Sequence, residues 1–215
     1  MKKVYFLFVA IIIFSFSSFA QNKDSITIKK IADDILTNGM VYENLRYLCK
    51  KIGPRLSGSA NAQKAILATA RMLKEAGADT VYLQPCMVPH WVRGAKETGF
   101  IKLADNSKFN LHLCAIGNTV GTAVAGLSAP VVEVKSMAEL RQLGAAAIKG
   151  KIVFFNIEMN PTYVNTFQAY GEDGAGRFVG PTEASRYGAV GAMVRSLASN
   201  VNDYPHTGVT RYNDS

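Results

Sequence analysis

Histidines are the first residues to consider for chemistry, because imidazole serves both as a metal ligand and as a general base. The chain has three, at positions 90, 112 and 206. None begins a His-x-Asp or His-Glu-x-x-His pattern, so the spacing predicts no zinc ligand set. His90, which precedes Trp91, and His206 each follow a proline, and a rigid proline turn suits a cleft wall as well as a packing corner. His90, Trp91 and His206 are therefore the candidates to face a cleft.

Two further patterns resemble catalytic loops without matching them. The glycines at 171, 174 and 176 have neither the dinucleotide-binding spacing nor a following Lys-Ser/Thr, so this stretch is predicted to be a flexible loop. Ser57 lacks the Gly-x-Ser-x-Gly context of a nucleophile and lies at a helix start, where a capping role explains it. The residues alone therefore predict no active site.

The three cysteines raise the question of a disulfide, because we expect the protein to be exported. Cys49 is predicted to stay free on the buried stripe of a helix, beside Leu45, Leu48 and Ile52. Cys86 and Cys114 lie in neighbouring strand-like stretches, but the sequence does not fix the distance between their Cα atoms. Pairing of these two is left open.

The first twenty residues have the three parts of a secretory signal peptide. Lys2 and Lys3 precede an uncharged stretch, and a small-x-small ending at Ala20 precedes Gln21. Cleavage is predicted between Ala20 and Gln21, which places the mature protein outside the cell or in the periplasm. The alternative is an uncleaved membrane anchor, since residues 4–20 just reach the length that a bilayer requires.

Composition limits the remaining classes of protein. Of 215 residues, 48% are hydrophobic and 19% are charged, which is enough to build a core and excludes a disordered chain. The net charge of +8 falls to +6 without Lys2 and Lys3, and no long basic run occurs. We therefore expect no nucleic-acid binding. No stable membrane anchor is expected either, because Ser15, Ser17 and Ser18 weaken the end of the apolar run and a cleavage site follows it.

The order of the predicted elements indicates an α/β protein. Apolar spacing predicts three helices, the first ending at Asn38, the second at Gly53 and the third running from Ser59 to Gly77. Strands are then expected at 80–83, 100–103 and 109–113, the last two forming a hairpin. A small-residue stretch, 118–129, suggests a domain boundary near 120.

The remainder has the pattern of parallel β-α-β units. Strands are predicted at 131–134, 151–155 and 191–195. Ser136 and Glu139 form a capping-box pattern at the start of one connecting helix, and a second helix is expected at 182–187.

Five motifs follow one another along the chain: Gly53-Pro54-Arg55-Leu56-Ser57-Gly58, Pro89-His90-Trp91-Val92-Arg93-Gly94, Gly150-Lys151-Ile152-Val153, Gly188-Ala189-Val190-Gly191-Ala192-Met193-Val194-Arg195-Ser196-Leu197-Ala198-Ser199, and Pro205-His206-Thr207-Gly208. In this order they resemble the motifs of the plasma glutamate carboxypeptidase, or carboxypeptidase Q, family of co-catalytic zinc exopeptidases. Single pieces are weak signals, but five in order over most of the chain are specific.

The resemblance implies a domain organisation. Residues 1–20 would be the signal peptide, 21–120 the start of an α/β peptidase domain, and 121–215 most of an inserted protease-associated domain. The family's zinc ligands and general-base Glu follow that insertion, so the resemblance places no catalytic or metal-binding residue in this span and implies that the fold is incomplete at the C-terminus.

The resemblance also implies a function for the complete protein. It would be an exported exopeptidase that uses two zinc ions to cleave short peptides, while this span alone would be inactive. The resemblance leaves open whether the complete protein is a monomer or a homodimer. The alternatives are a non-catalytic protease-associated module that binds a peptide or another protein, and an inactive truncated product.

Overall fold

The computed structural model describes residues 17–200 and 202–212, with side-chain surroundings from residue 23 onward. The chain divides into two compact units, residues 1–90 and 91–215, which are described separately. Most of the predicted signal peptide lies outside the described residues. The predicted domain boundary near residue 120 stays a prediction.

The first unit consists of helices, as the apolar spacing predicts. Its elements are α1 (Ser17–Asn38), α2 (Val41–Tyr47), a π-helical turn (Leu48–Ile52) and α3 (Ala60–Glu75). α1 ends at the predicted residue, and the predicted cleavage position, Ala20–Gln21, lies within it. The helices of the first unit are thus confirmed, while cleavage stays a prediction.

The ends of these helices follow from local chemistry. The π-helical turn stops at Gly53, whose φ of 79° is costly for any residue with a Cβ, and Pro54 follows. Ser59 caps α3, because its Oγ accepts a hydrogen bond from the Ala62 amide at 3.1 Å. The capping role predicted for Ser57 is therefore wrong, since Ser59 is the N-cap residue and Ser57 lies in the turn before it. Beyond α3, Gly77 adopts a φ of 94° and ends the helical run.

Burial in the first unit differs from the expectation. Among its described residues only Ala65 and Ala68 are buried. Leu45 and Cys49 are exposed and Leu48 is half-buried, so the predicted buried stripe of the second helix is wrong for this span. The apolar side chains have helical spacing, but nothing in the described part of this unit covers them.

The strand predicted at 80–83 is also wrong. Residues 80–90 have no regular structure, although Thr80 to Leu83 have suitable β-forming side chains. A strand needs a neighbour to pair its backbone groups, and the described part of this unit contains no other strand.

The second unit begins with the predicted hairpin. β1 (Phe100–Lys102) and β2 (Lys108–Asn110) pair antiparallel, both shorter than predicted. The connecting turn forms because the Asp105 carboxylate accepts a 2.9 Å hydrogen bond from the Ser107 amide, while Asn106 adopts a φ of 65°.

A three-stranded parallel sheet follows and carries the core. Its order is β3 (Val131–Val134), β4 (Ile152–Phe155) and β5 (Gly191–Val194), with Val131 opposite Ile152 and Ile152 opposite Gly191. Helix α4 (Met137–Ile148) connects β3 to β4. The core contains these buried side chains: Val134, Leu140, Ile148, Val153, Phe155 and Ala184. The predicted β-α-β order and the α/β class are confirmed.

The capping box at the start of α4 is confirmed with a small variation. The Ser136 hydroxyl accepts a hydrogen bond from the Glu139 amide at 3.0 Å. The Glu139 carboxylate accepts one in return at 2.6 Å, from the Lys135 amide instead of the Ser136 amide.

The glycine-rich stretch is helical, so its prediction as a flexible loop is wrong. It forms α5 (Thr166–Asp173) and α6 (Ala175–Phe178), and α7 (Gly180–Arg186) follows. Gly176 and Gly180 are buried against Phe155, and a Cβ on Gly180 would lie 2.8 Å from the Phe155 ring. These glycines allow close packing. Their spacing along the sequence would look the same in a flexible loop, so the sequence alone does not separate the two cases.

The three cysteines are free, with Cys49 and Cys86 exposed and Cys114 half-buried. None of the helices in the described part of the chain combines the length and the apolar character needed to cross a bilayer.

Candidate functional site

Arg93 is the centre of the polar cluster that the second unit builds between distant parts of the chain. Its guanidinium donates a 2.6 Å hydrogen bond to the Glu97 carboxylate and a 2.9 Å hydrogen bond to the Ala115 carbonyl. The Trp91 ring lies below the guanidinium, with its centroid 5.1 Å from Cζ, close enough for a cation–π interaction. One side chain therefore fixes the segments 91–97 and 114–115 to each other.

Glu97 supplies the negative charge that balances the Arg93 guanidinium. Its Oε1 accepts a hydrogen bond from the Ala115 amide at 2.7 Å besides the one from Arg93. Hydrogen bonds from the backbone amides of Glu97 itself and of Ala115, together with the nearby Arg93 charge, lower the pKa of the Glu97 carboxyl from its ordinary value. The ion pair is thus held in its charged form.

The Arg93 cluster also reaches the loop that follows the parallel sheet. Arg93 Nη2 donates to the Thr207 hydroxyl at 3.4 Å. Next to it, the Gly117 amide donates to the Gly208 carbonyl at 2.8 Å, and the Thr210 amide donates to the Gly117 carbonyl at 3.0 Å. The segment after His90 and the segment after His206, which are far apart in sequence, therefore meet at Arg93.

The three residues predicted to face a cleft have different surroundings. Trp91 is half-buried, and its indole N–H donates to the Thr119 carbonyl at 2.9 Å, so its ring is fixed. His206 is exposed, and its backbone amide donates to the Ser196 hydroxyl at 3.1 Å. His90 is exposed and packs next to Gly58 in the first unit. That these residues face a cleft stays a prediction.

The chemistry open to the Arg93 cluster is positioning. Within residues 17–200 and 202–212, no three His, Cys, Asp or Glu side chains lie close enough to hold a metal ion. Arg93 and Glu97 neutralise each other, and the Thr207 hydroxyl accepts a hydrogen bond from the same Arg93 guanidinium, which holds it in place. The cluster therefore fixes the segments that follow His90 and His206, and it holds Trp91 and Thr207 in place within them.

Sequence reasoning did not identify Glu97 or Thr207 as functional partners. Arg93 and Glu97 have opposite charges and lie four residues apart, a spacing that predicts an ion pair when both residues lie on a helix. Here the segment 91–99 has no regular structure, so the same spacing works without a helix. Nothing in the local sequence connects Thr207 to Arg93, because that contact depends on the fold.

Curated relatives of the chain carry a peptidase name. Carboxypeptidase Q from Xenopus laevis is 38% identical over 167 residues, and carboxypeptidase Q from Homo sapiens is 35% identical over 173 residues. These alignments cover 78% and 80% of this chain but 33% and 34% of the relatives. The chain thus spans about a third of the length of the curated proteins it matches. No family model matches the chain.

A solved structure supports the same relationship at the level of the fold. A peptidase M28 precursor from Shewanella amazonensis SB2B superposes with a TM-score of 0.80 at 27% identity. The superposition covers 90% of this chain and 42% of that chain. The resemblance to carboxypeptidase Q is therefore confirmed: this chain is a relative of carboxypeptidase Q over about four fifths of the chain's own length, and it has part of an M28 peptidase fold.

Proposed function

We propose that this chain is the N-terminal part of an exported, zinc-dependent exopeptidase that acts on short peptides. The observation that carries the proposal is the identity of 35–38% to carboxypeptidase Q over about four fifths of the chain, combined with the M28 peptidase fold. In this proposal, residues 21–120 begin the peptidase domain and residues 121–215 form most of a protease-associated insertion.

The surface of the first unit supports a scaffold role. Ile28, Ile31 and Ile35 recur at helical spacing on α1, yet each keeps more than half of its surface exposed. On α3, Ile66 and Leu73 are 45% and 55% exposed. Apolar faces of this size are normally covered in a folded protein. We assign the covering surface to the remainder of the peptidase domain, which the relatives possess.

The described residues bring together no side chains that would hold a zinc pair. A zinc pair needs about five converging ligands, and the described residues contain no group of three. The zinc ligands and the general base are therefore assigned to the part of the relatives' length that this chain does not cover. No catalytic step is assigned to the residues described here.

The Arg93 cluster contributes positioning in this proposal. It ties the Trp91 segment to the Thr207 segment, both of which belong to the motifs that resemble the family. Together they would form one wall of the path by which a peptide reaches the zinc centre. A nucleic-acid partner is not part of the proposal, and the oligomeric state is left open between monomer and homodimer.

Peptide hydrolysis tests the proposed activity. The chain is compared with a longer product that continues through the coding sequence after Ser215, each assayed on dipeptides with and without a chelator. Hydrolysis by the longer product that the chelator abolishes is the expected result. A longer product that is soluble and zinc-loaded but inactive on peptides, or a stop codon directly after Ser215, would favour the non-catalytic binding module instead.

Export is tested separately. N-terminal sequencing of the secreted product should begin at Gln21, because the basic start, the apolar run and the small-x-small ending occur together. A mature protein that keeps Met1 and fractionates with membranes would support the anchor instead.

A further inference from the structure

Arg177 is a buried arginine that the proposed function does not use. It lies on α6, and only 5% of its surface is exposed. The Tyr170 and Phe178 ring centroids lie 4.9 Å and 4.8 Å from its Cζ, and its Nη2 donates to the Tyr170 hydroxyl. Gly208 closes a further side, since a Cβ there would be 2.8 Å from Cζ. The guanidinium is thus held among two rings and a glycine backbone.

The hydrogen-bonding capacity of this guanidinium is mostly unused. A guanidinium has five N–H donors, and among the described residues Arg177 makes one side-chain hydrogen bond, to Tyr170. Its Nε is buried and has no partner. Nη1 likewise has no acceptor in the described part of the chain. Unlike Nε, it is not a fully buried atom without a partner, so Nη1 is the edge of the guanidinium that solvent reaches.

The neighbouring acidic side chains do not compensate the charge. Glu172 accepts a hydrogen bond from the Tyr163 hydroxyl at 2.9 Å, and Asp173 accepts one from the Asn160 amide at 3.0 Å. Within the described residues neither forms an ion pair with Arg177. Burying a charge without a partner is costly, and the two cation–π contacts offset only part of that cost.

We propose that Arg177 is an anion-binding residue whose ligand is a carboxylate, bound end-on at Nη1 between the aromatic rings. A single guanidinium matches the single charge of a carboxylate, and its planar donors suit the planar carboxylate group. The carboxylate belongs either to a free small acid or to the C-terminus of a peptide. This inference does not depend on a zinc centre, because it concerns residues of this chain alone.

The position of the site links it to the loop that the Arg93 cluster holds. Gly208 packs on the guanidinium, and its carbonyl accepts the Gly117 amide. Thr210, two residues later, donates its hydroxyl to the Phe178 carbonyl at 3.3 Å. A carboxylate bound at Arg177 would therefore stabilise the 205–210 loop against the rest of the second unit.

Thermal unfolding of the chain with matched ligands tests the carboxylate site. The probes are acetate, N-acetyl-dialanine and N-acetyl-dialanine amide, each at constant ionic strength set with chloride. At about ten times its Kd, a carboxylate probe should raise Tm by about 3–6 °C, whereas the amide should not. If acetate acts as well as the peptide, the source is a small acid; if only the peptide acts, the source is a C-terminus.

Variants assign the effect to the residue. Arg177→Met should abolish the shift, while Arg186→Met, which removes an exposed arginine of the same unit, should retain it. If Arg177→Met fails to fold, the side-chain Nε–H resonance of Arg177 in the unaltered chain provides a second measurement, and it should move with the carboxylate but not with the amide. Equal responses to carboxylate and amide, or an unmoved resonance, would overturn the proposal.

Discussion

The packing of Gly180 against Phe155 predicts a large effect from adding one methyl group. Gly180 is buried at the start of α7, and a Cβ built on it would lie 2.8, 3.0 and 3.1 Å from three atoms of the Phe155 ring. The ring is fully buried in the core of the parallel sheet. Because an aromatic ring in such a place has little room to move, Gly180→Ala forces the ring or α7 to shift.

Overpacking of this kind costs about 1–3 kcal/mol of unfolding free energy. Gly171 provides the matched control, because it lies in α5, is exposed, and has no atom within 4 Å of a built Cβ. Gly171→Ala should therefore stabilise the chain by about 0.5–1 kcal/mol through the reduced freedom of the unfolded backbone. Urea unfolding followed by far-UV circular dichroism measures both changes.

Opposite signs for the two substitutions are the expected result. If Gly171→Ala and Gly180→Ala both leave the midpoint unchanged, residues 166–186 do not form the packed helices described, and the flexible loop expected from the glycine content would be the better description. A destabilised Gly171→Ala with an unaffected Gly180→Ala would refute the packing argument directly.

Two further changes test the helix cap and the Arg93 cluster. Ser59→Ala should destabilise α3 by about 0.5–2 kcal/mol in thermal or urea unfolding, because the Ala62 amide loses its acceptor, while Ser57→Ala should have little effect. Glu97→Gln should lower stability at neutral pH. Because the pKa of folded Glu97 is lowered, its contribution is present above the ordinary carboxyl pKa and is lost as pH falls through the folded pKa. Unfolding curves of both proteins should therefore converge in acid, and a constant gap would contradict this origin.

Most elements could be predicted from local sequence because their signals are local. Ser59 and Gly77 bracket α3, and the capping-box pattern begins α4, so periodicity and end signals agree there. The parallel strands are short apolar runs with a helix between them, which predicts their order. These features depend on neighbours in the chain more than on the final fold.

The failures of prediction occur where the tertiary partner decides the outcome. Residues 80–83 have β-forming side chains but no strand to pair with among the described residues. Gly176 and Gly180 resemble a flexible loop in sequence, yet they are small because Phe155 occupies the space beside them. The apolar spacing around Cys49 predicts a buried thiol, but Cys49 lies exposed, because burial needs a second surface that periodicity alone does not supply.

The Arg93 cluster and the Arg177 site show the same limit for function. The sequence identifies the motifs around residues 90 and 206, but the contact of Arg93 with Thr207 joins positions far apart in the chain. Arg177 lies within a glycine-rich stretch that predicts a flexible loop, so the sequence does not indicate that Arg177 is buried. In both cases the residue type is visible in the sequence, and only its surroundings give it a role.

Zinc content after dialysis tests the central claim most directly. The claim is that this chain is a peptidase scaffold whose zinc ligands lie outside the residues described. Elemental analysis should find well under one zinc per molecule of this chain and about two per molecule of a product extended through the following coding sequence. Two zinc ions held tightly by the 215-residue chain alone would contradict the ligand count and the assignment of the metal site to the remainder of the fold.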